Sequence, residues 1–236
     1  MKKLILTIGH SIVRRINGTW IPSEIYQNVN WPDGLGGRTC RTFLHQACLG
    51  PDANNVYLGG GQAVVKALFE LWQNNQSADV AIIGGRPHHM DLLFGAEVAN
   101  ISEASVMSDY FIKIASEAKI EKLPTINAIE GTRTTEDDIC EALRLAQDYK
   151  QITVIAMSFR LFRAQLLMKD FVRKNNDFSV AASSILFRDA EQFLPEMFDE
   201  FVKMNQSAAY ARTMSQERQG VLAKLYGSSG DYSRTA

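Results

Sequence analysis

Short apolar runs that stop on glycines, alternating with segments whose apolar residues come in doublets every four positions, constrain this chain more than any other feature. One run ends in Leu58-Gly59-Gly60-Gly61 and another in Ile82-Ile83-Gly84-Gly85. Between them Ala63-Val64, Ala67-Leu68 and Leu71-Trp72 recur at helical spacing, which predicts a helix laid on a sheet. Glycines between a strand and a helix let backbone N–H groups approach a ligand at a helix end that favours negative charge. Two such junctions point to a pocket for an anionic or nucleotide-like small molecule.

The alternation continues downstream. Residues 56–58, 79–83, 125–129, 152–157 and 178–182 read as strands, the fourth apolar at nearly every position, as buried parallel strands are. Val106-Met107, Tyr110-Phe111 and Ile114-Ala115 repeat the helical doublet, with Ser102 as N-cap and Glu103 in the first turn. Residues 135–149 and 163–174 read as further helices. The expected fold is α/β: a three-layer, doubly wound, mainly parallel, Rossmann-like sheet with strands at Val56, Val80, Ile126 and Val154. Residues 4–8 form a further strand, and residues 17–54, rich in turn formers such as Trp31-Pro32-Asp33-Gly34, form an irregular N-terminal region against the sheet. C-terminal helices follow, an amphipathic one around 193–202 and a short one at 221–226. One domain over 1–226 and a frayed tail at 227–236 complete the expectation.

Composition narrows the class. Of 236 residues, 46% are hydrophobic and 22% charged, enough to stock a core and a normal surface. A net charge of -1 gives no general attraction to nucleic acid. Cys40, Cys48 and Cys140 are widely spaced and form no CxxC pair, which argues against a disulfide framework and a structural zinc site. The apolar start Leu4-Ile5-Leu6 is interrupted by Gly9, His10 and Ser11, so no signal peptide is read, nor any membrane span later. The expected compartment is the cytoplasm.

The candidate site residues each have a functional and a structural reading. Gly59, Gly60 and Gly61 cradle a phosphate or ribose, or only make a tight turn; Gly84 and Gly85 are balanced between the same two. Glu103 accepts a hydrogen bond from a ligand hydroxyl, or simply complements a helix dipole. Thr132, Thr135 and Asp137 belong to a ligand site or to an N-cap with its first-turn acid. Glu130, at a strand's carboxyl end, would be costly if buried unpaired, and Arg133 or Arg163 is its expected counter-charge. Arg163, taken to open a helix where a cation is disfavoured, is the expected charged clamp on an anionic ligand. His88-His89 with Asp91 is read as a solvated loop rather than a metal site, so no metal is expected. His10, past a strand end, is the best titrating candidate, and Cys140 is an inert helix residue.

The order of these motifs resembles the DUF218 (YdcF-like) family over roughly residues 54–185. That family has a strand ending in glycines, a second ending in Gly-Gly, a helix opening with Ser-Glu-Ala, a Ser-x-Asn-Thr-x-Glu-Asn segment and a Ser-x-His-x-x-Arg-Ala segment. Here the places are taken by Leu58-Gly59-Gly60-Gly61, Gly84-Gly85, Ser102-Glu103-Ala104, Glu130 with Thr132 to Asp138, and Ser158 to Ala164. Two departures stand out. The family's Asn-Thr-x-Glu-Asn is Thr134-Thr135-Glu136-Asp137-Asp138, and its histidine is Arg160. A guanidinium stays protonated and cannot move protons, but it can hold a carboxylate or phosphate bidentately. The resemblance implies a binding protein for a nucleotide-like or S-adenosylmethionine-like ligand, with Ser158, Arg160 and Arg163 added to its site. The alternative it implies is a hydrolase or transferase acting on a phosphorylated or nucleotide-activated substrate, as in envelope metabolism.

Overall fold

Lys3–Ile8 (β1) alternates its side chains between two apolar layers, Ile5 to one face and Leu4, Leu6 and Ile8 to the other, as only a strand with both faces covered does. The computed structural model describes residues 2–10, 12–14, 18–28, 56–86 and 100–225. After β1 come a small antiparallel pair, Ile12–Arg14 (β2) with Trp20–Pro22 (β3), and then Tyr26–Asn28 (β4) and Val56–Leu58 (β5). Helix α1 is Gly61–Gln73, followed by Asp79–Ile83 (β6), Glu103–Glu117 (α2) and Ile126–Ile129 (β7). Next are Thr135–Leu145 (α3), Gln151–Ala156 (β8), Ser158–Lys174 (α4) and the short Ser179–Ser183 (α5). Ile185–Asp189 (β9), Phe198–Asn205 (α6) and Ala208–Leu225 (α7) complete the order.

Five strands make one parallel sheet in the order β7-β6-β1-β8-β9. Val80 and Ile82 with Ile155 face α1, α2 and the C-terminal helices, while Ala81, Ile83, Ile152 and Val154 face α3, α4 and α5. The result is the expected three-layer, doubly wound α/β arrangement. The chain winds outward from β1 through β6 to β7, then returns to β8 on the other side. The strand order therefore reverses between β1 and β8, and a crevice at their carboxyl ends is where such sheets take ligands.

Several sequence expectations are corrected. The strand at Val56 is absent from the parallel sheet: β5 pairs antiparallel with β4, and β1 occupies the central place instead. Three residues that stop on Gly59 cannot supply the two-faced burial that the six of β1 supply. Residues 178–182 are not a strand: Phe178 closes a 3-10 turn and the next four lie in α5, so the strand begins at Ile185, because a short apolar run carries no period of its own. Helix α4 starts at Ser158, so Arg163 lies inside it rather than at its opening. Helix α3 ends at Leu145. Residues 190–197 form two 3-10 turns before α6, and the final helix runs from Ala208 rather than 221. The turn-rich residues 29–55, His88, His89 and Asp91, and the tail at 227–236 lie outside the described residues.

Phe111 anchors the α1–α2 side, edge-on to both Phe69 and Trp72 at ring-centroid separations of 5.5 and 6.0 Å and wholly buried. Phe111→Ala is expected to cost about 3–5 kcal/mol through lost burial and a cavity that two rigid rings cannot refill. Urea denaturation followed by circular dichroism measures it.

Candidate functional site

At the end of β1 the chain passes through Gly9, and what surrounds that α-carbon defines the site. A Cβ placed on Gly9 would collide with Glu103 Oε2 and come within 3.4 Å of Asp138 Oδ2 and 3.3 Å of the Gly84 Cα. Two carboxyl groups from different helices thus crowd one space that only a glycine leaves open. Glu103 is delivered by α2, whose N-terminus is held by the Ser102 cap and by its own N–H bond to the Gly85 carbonyl at 2.9 Å. Asp138 is delivered by α3, on the inward stripe it shares with Ala142, and is almost wholly buried.

A hydrogen-bond relay ties the strand ends together. Gly85 N–H donates to Thr132 Oγ1 at 2.7 Å, and the Asp138 carboxylate accepts from the Thr132 hydroxyl and from Gly9 N–H. Arg160, in the first turn of α4, donates from Nη1 to the Gly9 carbonyl at 3.1 Å. That places its charge beside Glu103, Asp138 and His10. Its Nε is buried with no hydrogen-bond partner among the described residues. An orphaned guanidinium N–H is uncommon in a folded interior.

Burial dominates the titration of this cluster. It pushes Glu103 up to about 8, with Arg160 opposing and Asp138 adding to the rise. Asp138 rises to about 7 against its bonds from Thr132 and Gly9. His10 goes the other way. Its ring is fully buried, donates from Nδ1 to the Ile8 carbonyl at 3.0 Å and accepts at Nε2 from Met157 N–H at 3.4 Å. Desolvation, with Arg160 nearby, holds it at about 3, so at neutral pH it is an uncharged strut between β1 and β8.

The glycine junctions are committed to the fold. Gly60 has φ +82° at the N-cap of α1, and a Cβ there would lie 2.6 Å from Met157 Cγ, so the triad packs α1 onto the end of β8. Gly59 N–H bonds to the Ile25 carbonyl at 3.1 Å, Gly60 N–H to the Glu24 carbonyl at 2.8 Å and Gly61 N–H to Ser23 Oγ at 3.3 Å. Gly84 N–H is taken by the Ile129 carbonyl. The donors expected to cradle a phosphate are therefore spent on protein oxygens. Ser158 is likewise engaged, its N–H and hydroxyl both donating to Glu191 Oε1 at 3.0 and 2.7 Å.

Other candidates fall outside the cluster. Glu130 is exposed and needs no counter-charge, and Arg163 pairs with Glu217 of α7 at 3.6 Å. Asp137 accepts from Arg133 and Thr134 N–H, each at 3.0 Å, as the acid of a capping box whose N-cap is Thr134; half-buried Thr135 opens α3. Gly9 and Asp138 were not among the expected site residues. Asp138 was legible as an acid four residues before Ala142, on an apolar stripe with Ile139 and Leu143 close by. No group of three or more metal-ligating side chains occurs among the described residues, and no helix among them is long and apolar enough to cross a membrane. Comparison with protein-family models, with curated proteins and with solved structures yields no match.

Two outcomes follow from this geometry. Gly9→Ala should destabilise the chain by about 1–3 kcal/mol through overpacking. Adding Glu103→Ala should recover most of that loss in a double-mutant cycle read by urea denaturation. The second outcome concerns pH. Glu103 and Asp138 stay protonated in the folded chain after the unfolded chain has lost those protons, at 4.5 and 3.8. Their stabilising contribution is full below those values and lost as pH rises toward 7 and 8; that of His10 is full above 6.5 and lost as pH falls toward 3. Glu103→Gln should raise the Tm at about pH 9 and change it little at about pH 4, measured by calorimetry.

Proposed function

We propose that the chain binds an adenosyl-type small molecule, of the S-adenosylmethionine kind, in the crevice between the carboxyl ends of β1 and β8. The observation that carries this is the convergence of Glu103, Asp138 and Arg160 on Gly9 at the point where the strand order reverses. Folding alone gains little from burying two acids beside one guanidinium, and a ligand that pairs with them repays the desolvation. Glu103 and Asp138, both raised by burial, can hydrogen-bond a ribose diol as neutral carboxyls, and a cationic ammonium or sulfonium centre against them would draw off their protons. The Arg160 Nε, without a partner among the described residues, suits the carboxylate of the same ligand. Arg160 thus takes the clamp role expected of Arg163. A diphosphate fits less well, since only Arg160 would answer its charges where the glycine N–H donors are already spent, and it would bind only with both acids held protonated. This narrows the nucleotide-like expectation toward the adenosyl side and agrees with the DUF218-like motif order.

The enzyme alternative needs a competent base near the glycine junctions. His10 is in the right place but does not serve, because both ring nitrogens are held and its proton affinity is low. Binding without a transferred proton is the better reading. The ligand needs no metal, and the sparse cysteine usage fits a reducing compartment such as the cytoplasm.

A thermal-shift series with S-adenosylmethionine, ADP and UDP-glucose, each with and without EDTA, tests this. S-adenosylmethionine at a hundred times its Kd should stabilise the fold by about 2.7 kcal/mol, with or without EDTA. Glu103→Gln and Arg160→Met should abolish most of that shift. Arg163→Ala, whose guanidinium is committed to Glu217, should leave it intact. A larger shift with UDP-glucose, or stabilisation that requires a divalent ion, overturns the proposal.

A further inference from the structure

The layer of helices does not cover the whole sheet. Past Leu71 near the end of α1, a cavity of about 380 Å³ lies over the amino-terminal half of β1, β8 and β9, closed on its far side by the turn carrying Gln192 and Phe193. Its floor is one row of register partners, Ile5 beside Thr153 and Thr153 beside Leu186. Leu186 remains 42% exposed, an apolar residue on a strand whose outer flank has no partner strand among the described residues. The volume falls in the range of small-ligand pockets.

The charges around this cavity are one-sided. Lys3 and Arg188 line it, and among the described residues no carboxylate does. Neither cation is in an ion pair among the described residues, whereas their neighbours Lys2 and Asp79 are paired at 3.4 Å. The Thr153 hydroxyl and the Gln151 amide, also lining it, make no side-chain hydrogen bond among the described residues. An apolar floor, two cations and two spare polar groups on one concavity match a particular ligand chemistry: an apolar body bearing one anionic head. We propose that this cavity is a second ligand site, for a small amphiphilic monoanion such as an aromatic or short-chain carboxylate. It stands apart from the Gly9 cluster. Gly60, at the opposite end of α1, packs against Met157 at the carboxyl end of the sheet, while Lys3 and Gln151 mark its amino end.

The test is calorimetric titration of the full chain with 4-phenylbutyrate, and with 4-phenylbutylamine as the charge-reversed control. Phenylbutyrate should bind saturably at one site with a Kd of about millimolar or tighter. The amine should bind at least about tenfold more weakly, the cost of losing a charge-assisted contact. Lys3→Gln with Arg188→Gln should weaken phenylbutyrate to the level of the amine. Both side chains are exposed, so the fold should survive, and an unchanged Tm checks it. Leu186→Trp, which fills the floor from a solvent-facing position, should block binding of either compound. Glu103→Gln should leave phenylbutyrate binding unchanged, which separates this site from the adenosyl site. Equal binding of the two amphiphiles, binding indifferent to Lys3→Gln with Arg188→Gln, or no saturable binding overturns the proposal.

Discussion

β1 hydrogen-bonds to a parallel neighbour on each side, and every other main element is placed relative to it. A strand met first in sequence but central in space forces the chain to wind one way to β7 and then return past its own start to β8. Such a return is where doubly wound sheets form a ligand crevice. It also brings the residues just beyond β1 against the first turn of α4, which is why Arg160 reaches a carbonyl about 150 positions earlier in the chain. His10 reinforces the same seam from below, its neutral ring spanning the ends of β1 and β8.

Around that seam the backbone donors and the side chains divide the work. Segment 22–25 satisfies the N-terminal N–H groups of α1, the Ser102 cap and the Gly84 and Gly85 carbonyls those of α2, and Glu191 meets Ser158 at the head of α4. Helix starts that would otherwise attract an anion are answered from within the protein. What remains at the seam is side chains, two acids raised by burial and one guanidinium nitrogen without a partner among the described residues. The polar chemistry left at these strand ends is therefore that of carboxyls and a guanidinium rather than of a backbone phosphate cradle.

Much of this was legible beforehand, and the misses share a cause. The helices with doublet stripes, α1 and α2, and the buried run of β8 follow from periodicity, because burial on one face or both writes itself into residue order. Gly84, Gly85, Glu103, Thr132 and Arg160 were flagged and do meet. Arg163 and Glu130 were flagged for their charge, but which carboxylate a guanidinium finds depends on which helix packs beside it; here α7 supplies Glu217. Gly59 to Gly61 were read for their freedom to approach a ligand, and that freedom serves Met157 and the segment 22–25 instead.

By itself the sequence determined the layers: alternating apolar runs and amphipathic segments, with both faces of the sheet buried, admit little besides a doubly wound α/β arrangement, because period and burial are local quantities. Only the tertiary structure decided which strand lies at the centre, since pairing partners are set by long-range packing and β5 and β1 are both short apolar runs ending near a glycine. It alone decided what Gly9 is for. A glycine after a strand is unremarkable in sequence, and becomes the middle of a carboxyl cluster only when two helices from distant parts of the chain aim their acids at the space its missing side chain leaves.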